Sequence, residues 1–335
     1  MFAMVLSLLL GLLAFLVITR ARFRKKRSTI PAPPANFFLG HILIFFELDP
    51  RPMFAFHQLK EKYGNLVSLN LVRIEMVIMS GYEDLKSFLN SQKSEIRLHS
   101  PIARILAYGT AKRNVGILFN GEPEFKELRR FTLKCFRDLG VGKNQSEAIV
   151  LEESRNLVEE IERLRSHGGG VISGARLDTV FKKTALNVVW HFCAGRRFDY
   201  EDKRMEKLLF FLDCFVILGN DILGKPLGSL PFLRHLPPYR SKYNAVKEGL
   251  VLLREFIFES IEEHVDSLDV NNPRDLIDMY LIEAQSPGHS KTFTRENLLA
   301  ICVDLFLAGT ETTAKVSFFY VHIVFNIKLF FSPRH

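Results

Sequence analysis

The stretch Ala308-Gly309-Thr310-Glu311-Thr312-Thr313 places an acid and two following hydroxyls inside an otherwise apolar run. From Leu298 to Ala308 nearly every residue is apolar, which predicts a helix buried on most of its faces. A carboxylate at Glu311, directly after such a run, must be paired, protonated or in contact with water. Each of those states makes it a candidate for proton handling. Gly309 removes a side chain and lets a ligand approach the backbone, while the Thr312 hydroxyl can reach the carbonyl of Ala308 one turn back and loosen the helix. Two outcomes stay open on these residues: a polar notch in an apolar wall, or a helix end that offers Glu311 and Thr312 to solvent.

Working outward, apolar residues at helical spacing predict helices over Pro52–Tyr63, Tyr82–Gln92, Pro123–Asp138, Asn144–Ser166, Arg176–Ala194, Asp202–Leu218, Tyr239–Val265, Pro273–Ala284 and Thr294–Thr313. Gly64 closes the first of these. The β-rich runs Leu66–Leu71 and Met76–Ser80, separated by Val72 to Glu75, predict a hairpin. The fold class expected is therefore mainly α with a small β-hairpin region. Leu223 to Pro238 is apolar but broken by prolines, so it cannot form a long helix. It reads as a buried loop or as a patch that dips into a membrane surface.

The chain has 335 residues and is 47% hydrophobic, enough to bury a substantial core. Of its formal charge of +8, six positive charges come from Arg20, Arg22, Arg24, Lys25, Lys26 and Arg27. The remainder is nearly balanced, and no basic stripe interleaved with aromatics indicates a nucleic-acid partner. Residues 1–19 carry no charge and reach about 28 Å as a helix, close to the thickness of a bilayer's hydrocarbon core. The basic cluster follows this apolar run, the order of a retained signal anchor that keeps the rest of the chain in the cytosol. Three prolines among residues 31–34 then favour a stiff, extended hinge.

Cys135, Cys193, Cys214 and Cys302 show no pairwise metal spacing and read as small apolar core residues. Asn144-Gln145-Ser146 matches a glycosylation sequon that the cytosolic topology would keep silent. Gly168-Gly169-Gly170 lacks the lysine and hydroxyl of a phosphate loop, so it reads as a turn between helices.

Asp304 to Thr313 resembles the long distal helix of the cytochrome P-450 monooxygenases, in particular the microsomal class that metabolises drugs and steroids. Three further blocks agree in order and spacing: Phe125 to Thr132 with Arg137 to Lys143, Gly195 to Asp202, and Pro273 to Asp278. The resemblance implies a haem cofactor, an apolar small-molecule substrate, an NADPH-dependent reductase as electron donor, and a place in the endoplasmic reticulum membrane with the domain facing the cytosol. Carried over residue by residue, Arg129 and Arg113 would pair with haem propionates, and Phe125 would stand where the family usually has tryptophan. Ala308 and Gly309 would lie against the cofactor, with Phe119 and Ala308 beside the substrate. Thr312 would act on bound dioxygen and Glu311 in proton delivery. The domains implied are an anchor (1–19), a basic stop-transfer and proline hinge (20–36), the N-terminal and distal part of the catalytic domain (37–314) and a divergent hydrophobic tail (315–335).

The family's metal ligand is a cysteine in the pattern Phe-x-x-Gly-x-Arg-x-Cys-x-Gly. Cys193 has Gly195 after it, but His191, Val189 and Leu186 stand where arginine, glycine and phenylalanine are needed. Cys135, Cys214 and Cys302 are followed by Arg137, Val216 and Asp304 at the glycine position, so no cysteine qualifies as a metal ligand. The expectation is a C-terminally truncated cytochrome P-450 fold behind a transmembrane helix, inactive as it stands. The alternative is a non-catalytic, membrane-bound isoform that acts as an interaction or decoy protein.

Overall fold

A computed structural model describes residues 29–36, 40–41, 43–49, 51–71, 74–95, 115–121, 123–169, 172–220, 231–288 and 290–331. The expected anchor, its basic cluster and Arg113 lie outside these residues. Among the described residues, no helix is long and apolar enough to cross a membrane. The chain divides into two compact units, residues 1–96 with 225–231 and residues 97–224 with 232–335.

The first unit is built on the hairpin. Strand β1 (Leu66–Leu71) pairs antiparallel with β2 (Ile74–Met79), Leu66 opposite Met79 and Leu71 opposite Ile74. The second strand thus starts two residues earlier than the sequence suggested. A four-residue helix α1 (Ile44–Glu47) precedes α2 (Pro52–Tyr63), which begins on a proline whose missing N–H costs nothing in a first turn. Gly64, with φ of 95°, ends α2 and donates its N–H to Lys60. Leu59, Val67, Leu69 and Ile78 form the buried centre of this unit. The proline hinge is fastened to the hairpin, because Ser68 donates its N–H to the carbonyl of Pro31 at 2.9 Å. His41 adds a second tie, its ring lying between the Pro33 carbonyl (2.9 Å) and the Asn70 N–H (2.6 Å). Helix α3 (Tyr82–Leu89) ends three residues before the expected Gln92, where a 3-10 turn (Gln92–Glu95) begins.

The second unit is helical: α4 (Pro123–Asp138), α5 (Asn144–His167), α6 (Gly174–Ala194), α7 (Lys203–Asn220), α8 (Tyr239–Asp266), α9 (Leu276–Gln285) and α10 (Arg295–Phe331). Helix α6 is its axis, packing on α5, α9 and, most extensively, α10, while α7 packs on α8. Ser173 caps the start of α6 by accepting from the Arg176 N–H, and Gly195 ends it in the left-handed region at φ 64°. Trp190, fully buried on α6, stacks on Phe198 and meets Phe256 and Phe306 edge-on or tilted, with ring centroids 5.0–6.2 Å apart. These aromatics lock the end of α6 to α8 and to the first half of α10.

Two helix boundaries and one loop differ from expectation for physical reasons. Helix α9 begins at Leu276, because Asp275 is its N-cap and accepts the Asp278 N–H. Helix α10 runs past Thr313 to Phe331, since Lys315 to Phe331 contains no glycine or proline to end it. Within Leu223 to Pro238 the described part is a 3-10 turn (Pro231–His235) that leaves Phe232 and Leu236 exposed, so these side chains are not in a buried loop. Cys135, Cys193 and Cys302 are buried core residues, as the sequence indicated.

Candidate functional site

The first half of α10 is sealed. Residues 298–304 are buried, as are Phe306 and Leu307, and then Ala308 emerges at the surface. Leu305 and Gly309 are half-buried, Thr312 is exposed, and Val316, Phe319, Tyr320 and Ile323 continue the open face. This face follows the three- and four-residue steps of one side of a helix. The Thr312 hydroxyl donates to the Ala308 carbonyl at 2.6 Å, so one side chain occupies the backbone acceptor of the turn below it.

A loop is laced to the rim of this face. Asp304 accepts the N–H groups of Ile117 (2.6 Å) and Leu118 (2.9 Å) through one carboxylate oxygen, and Asn297 accepts that of Gly116 at 3.1 Å. Hydrogen bonds from N–H to a carboxylate are charge-assisted and directional. They fix Phe119, the next residue, half-buried at the edge of the second unit. Asp304 sits one turn before Ala308, so the loop and the open face share a boundary. In the sequence Asp304 stands only at the start of the motif that ends at Thr313. A buried acid one turn before the notch was the available signal.

Gly309 does not stand open to a ligand. A Cβ built there would lie 2.5 Å from Cγ2 of Val189, so the missing side chain lets α10 and α6 approach closely. Its role in this structure is helix packing, a correction to the sequence reading of a backbone left free for a ligand.

Glu311 turns toward α6. Its carboxylate lies 3.4 Å from Lys182 and 3.8 Å from Lys315, and Oε2 makes no hydrogen bond among the described residues. Lys182, only 8% exposed, also meets Asp178 at 3.0 Å and Asp213 at 2.5 Å, and Lys315 reaches Asp178 at 2.8 Å. Burial by itself would lower the Lys182 pKa, but the hydrogen bonds to Asp213 and Asp178 and the neighbouring charges outweigh it, and the ammonium is held above its ordinary range. Burial likewise works against the Asp178 carboxylate, yet Lys315 and Lys182 keep it below its ordinary value. The acid of the notch is therefore paired, and of the three states open to it the structure selects an ion-pair network. Lys182 escaped notice in the sequence. An Asp178–Lys182 pair one turn apart on an apolar helix was the signal for it.

On α4, Phe125 is buried at 4% exposure whereas Arg129, one turn on, is exposed. The two share a helix, but only Phe125 belongs to the core. Phe131 of α4 meets Tyr280 and Phe293 at 5.7 and 5.0 Å, which seats α4 against α9 and the turn before α10.

The thiols decide what metal chemistry these residues fit. Burial pushes the Cys135 thiol up to about 12, and burial also drives Cys193 and Cys302 upward. A thiolate is the form that binds metal, and none of these three environments favours it. The side chain of Cys214 lies outside the described ones. Ala308 and Thr312 thus form an accessible wall, and the described thiols do not suit a metal-donor role.

The cytochrome P-450 family model matches residues 30–326. Cytochrome P-450 2E1 of Rattus norvegicus is 31% identical over 288 residues, covering 84% of this chain and 55% of the relative. Cytochrome P-450 2C14 of Oryctolagus cuniculus is 34% identical over 292 residues, 85% of this chain and 56% of the relative. Cytochrome P-450 2B4 of the same species is 31% identical over 319 residues, 92% and 61% respectively. The chain spans between 55% and 61% of the length of these relatives. A family match over nearly the whole chain, with relatives 31–34% identical over 84–92% of it, establishes that this protein belongs to the cytochrome P-450 family.

Proposed function

We propose that the chain carries the distal wall of a haem-dependent monooxygenase site that acts on an apolar small molecule, with electrons from an NADPH-dependent reductase at the cytosolic face of the endoplasmic reticulum membrane. The observation that supports this reading is the change along α10, from a sealed apolar helix to an accessible hydroxyl-bearing face at Ala308 and Thr312. On this reading Phe119 and Ala308 border the substrate, and Phe125, Arg129, Arg113 and Ala308 border the cofactor. Haem with a thiolate donor supplies the oxygen-activating chemistry. The residues of this chain hold the Thr312 hydroxyl at the Ala308 carbonyl and place the Glu311 carboxyl 3.4 Å from Lys182. Residues 37–314 form the catalytic part, 1–19 the anchor, 20–36 the hinge and 315–335 a divergent tail.

Because no qualifying cysteine is found among these 335 residues, the proposal includes a thiolate contributed by sequence beyond them and no oxidation by these residues alone. The carbon monoxide difference spectrum tests it. The 335-residue chain, expressed with excess haem, is expected to give no thiolate-type band, and a transcript read on through the codon for Thr313 is expected to give one. A thiolate-type band from the 335 residues, or hydroxylation of a substrate with reductase and NADPH, would refute this. The buried, protonated thiols also favour a second reading, a non-catalytic membrane-bound isoform that acts as an interaction or decoy protein. It predicts that the 335 residues lower the turnover of a related enzyme when co-expressed.

A further inference from the structure

Away from α10's open face, three helix ends meet at a buried histidine. His264 lies in the last turn of α8 and is 5% exposed. Its Nδ1 faces the Ser260 carbonyl at 2.6 Å, and its Nε2 faces Oδ2 of Asp275 at 2.9 Å. Both partners are acceptors. A neutral imidazole carries only one N–H, so it would satisfy one of them and set a lone pair against the oxygen of the other. Two acceptors at hydrogen-bond distance require two N–H groups, which is the imidazolium. The proton between Nε2 and Oδ2 belongs on the ring, because an ordinary imidazole is about 2.6 units more basic than an ordinary aspartate.

The surroundings are arranged for that cation. Asp275, 1% exposed, spends its other oxygen on the Asp278 N–H as the cap of α9. Asp278 is clasped by Arg274 through Nε (2.6 Å), Nη2 (2.9 Å) and the backbone N–H (3.0 Å), so its charge is already balanced. From α6, Gly195 packs so closely that a Cβ there would lie 3.0 Å from Asp275 Oδ2. Arg196 next to it is taken up by Glu263 and by the Ser260 hydroxyl. Arg274 also feels the Asp275 charge, but its guanidinium is hydrogen-bonded to Asp278, and the other titratable groups that sense Asp275 are Cys193 of α6 and Cys302 of α10, whose thiols burial keeps protonated. Asp275 is therefore the carboxylate whose counter-charge depends on His264.

We propose that His264 is a protonation-dependent clasp: charged, it joins the end of α8 to the cap of α9 and the terminus of α6; neutralised, it releases that corner. Burial opposes the charged ring, but the hydrogen bond and charge of Asp275 and the Ser260 carbonyl outweigh it, and the His264 pKa is raised. The sign follows from linkage. The clasp is fully present below the unfolded-state value near 6.5 and is lost as pH rises through the higher folded value. Release also reaches α10, because Tyr280 of α9 donates its hydroxyl to the Thr294 carbonyl at the helix start.

The test is hydrogen-exchange mass spectrometry of the full chain in detergent from about pH 6 to about pH 9, corrected for the intrinsic chemical rate, with nitrogen-15 spectra of the histidine rings recorded in parallel. Opening of Leu276–Gln285 is expected to rise about tenfold per pH unit from roughly 6.5 up to the folded value and then level off, while the hairpin Leu66–Met79 stays flat. H264Q keeps a donor toward Asp275 without titrating, and its profile should be flat. A wild-type profile with no slope overturns the proposal, as does a slope that survives in H264Q. Should H264Q not fold, the wild-type ring spectrum decides alone. Two protonated nitrogens at neutral pH support the clasp, and a neutral ring refutes it.

Discussion

The two halves of α10 share one helix and obey different rules. From Leu298 to Leu307 the helix is buried against α6 and α8, and its side chains are chosen by packing. From Ala308 onward one face lies open, with Val316 at 70% and Tyr320 at 69% exposure, while the face toward α6 keeps Thr310 and Ala314 buried. The contrast teaches that apolar sequence alone does not locate a core. Phe306 and Phe319 are the same residue type on the same helix, yet the first is fully buried and the second is 58% exposed.

The largest effect that sharpens this contrast is expected from Phe306→Ala. Its ring packs edge-on against Trp190 at 5.1 Å, and removing it should cost about 3–5 kcal/mol in denaturant unfolding. Phe319→Ala should change stability by less than about 0.5 kcal/mol. Similar losses at both positions would break the division.

Lys182→Met comes next. It leaves Asp178, Asp213 and Glu311 without their shared cation and should cost about 2 kcal/mol at neutral pH, below the full value for a buried pair because Asp213 is 43% exposed. Asp178 is held below its ordinary value, so its contribution is present above the unfolded value near 3.9 and is lost as pH falls through the folded one. The difference between wild type and variant should therefore shrink in acid, as unfolding midpoints measured at several pH values would reveal. A constant difference would assign the loss to packing.

A smaller effect is expected from Gly309→Ala. Alanine favours a helix by about 1 kcal/mol over glycine, but its Cβ would stand 2.5 Å from a methyl of Val189, a stiff β-branched neighbour. Overpacking of about 1–3 kcal/mol outweighs the propensity gain, and the net loss should be about 1 kcal/mol. Val189→Ala in the same protein should make the Gly309→Ala step stabilising, a double-mutant cycle that identifies the contact. The smallest effect belongs to Thr312→Val, where loss of the exposed hydroxyl bond to Ala308 should move stability by under about 0.5 kcal/mol.

Much of the scaffold was legible because its signals are local. Gly64 and Gly195 close their helices, and the β-rich runs around Val72 pair as a hairpin. What escaped depends on partners far away in sequence. Gly309 reads as an opening until Val189, 120 positions earlier, is placed against it. Glu311 reads as an acid in need of a partner, but only the packing of α6 on α10 supplies Lys182. The end of α10 is a local matter again: the periodicity suggests a stop at Thr313, but residues 315–331 contain no glycine or proline, and the helix runs on to Phe331.

The bond from Ser68 to the Pro31 carbonyl shortens a leash. Only four residue steps separate Arg27 from Pro31, at most about 14 Å of stretched backbone. If residues 1–19 cross a bilayer and the basic cluster rests on its headgroups, the β-hairpin rides at the lipid surface like a boat on a short mooring. Breaking that one bond would lengthen the rope before it altered the hull.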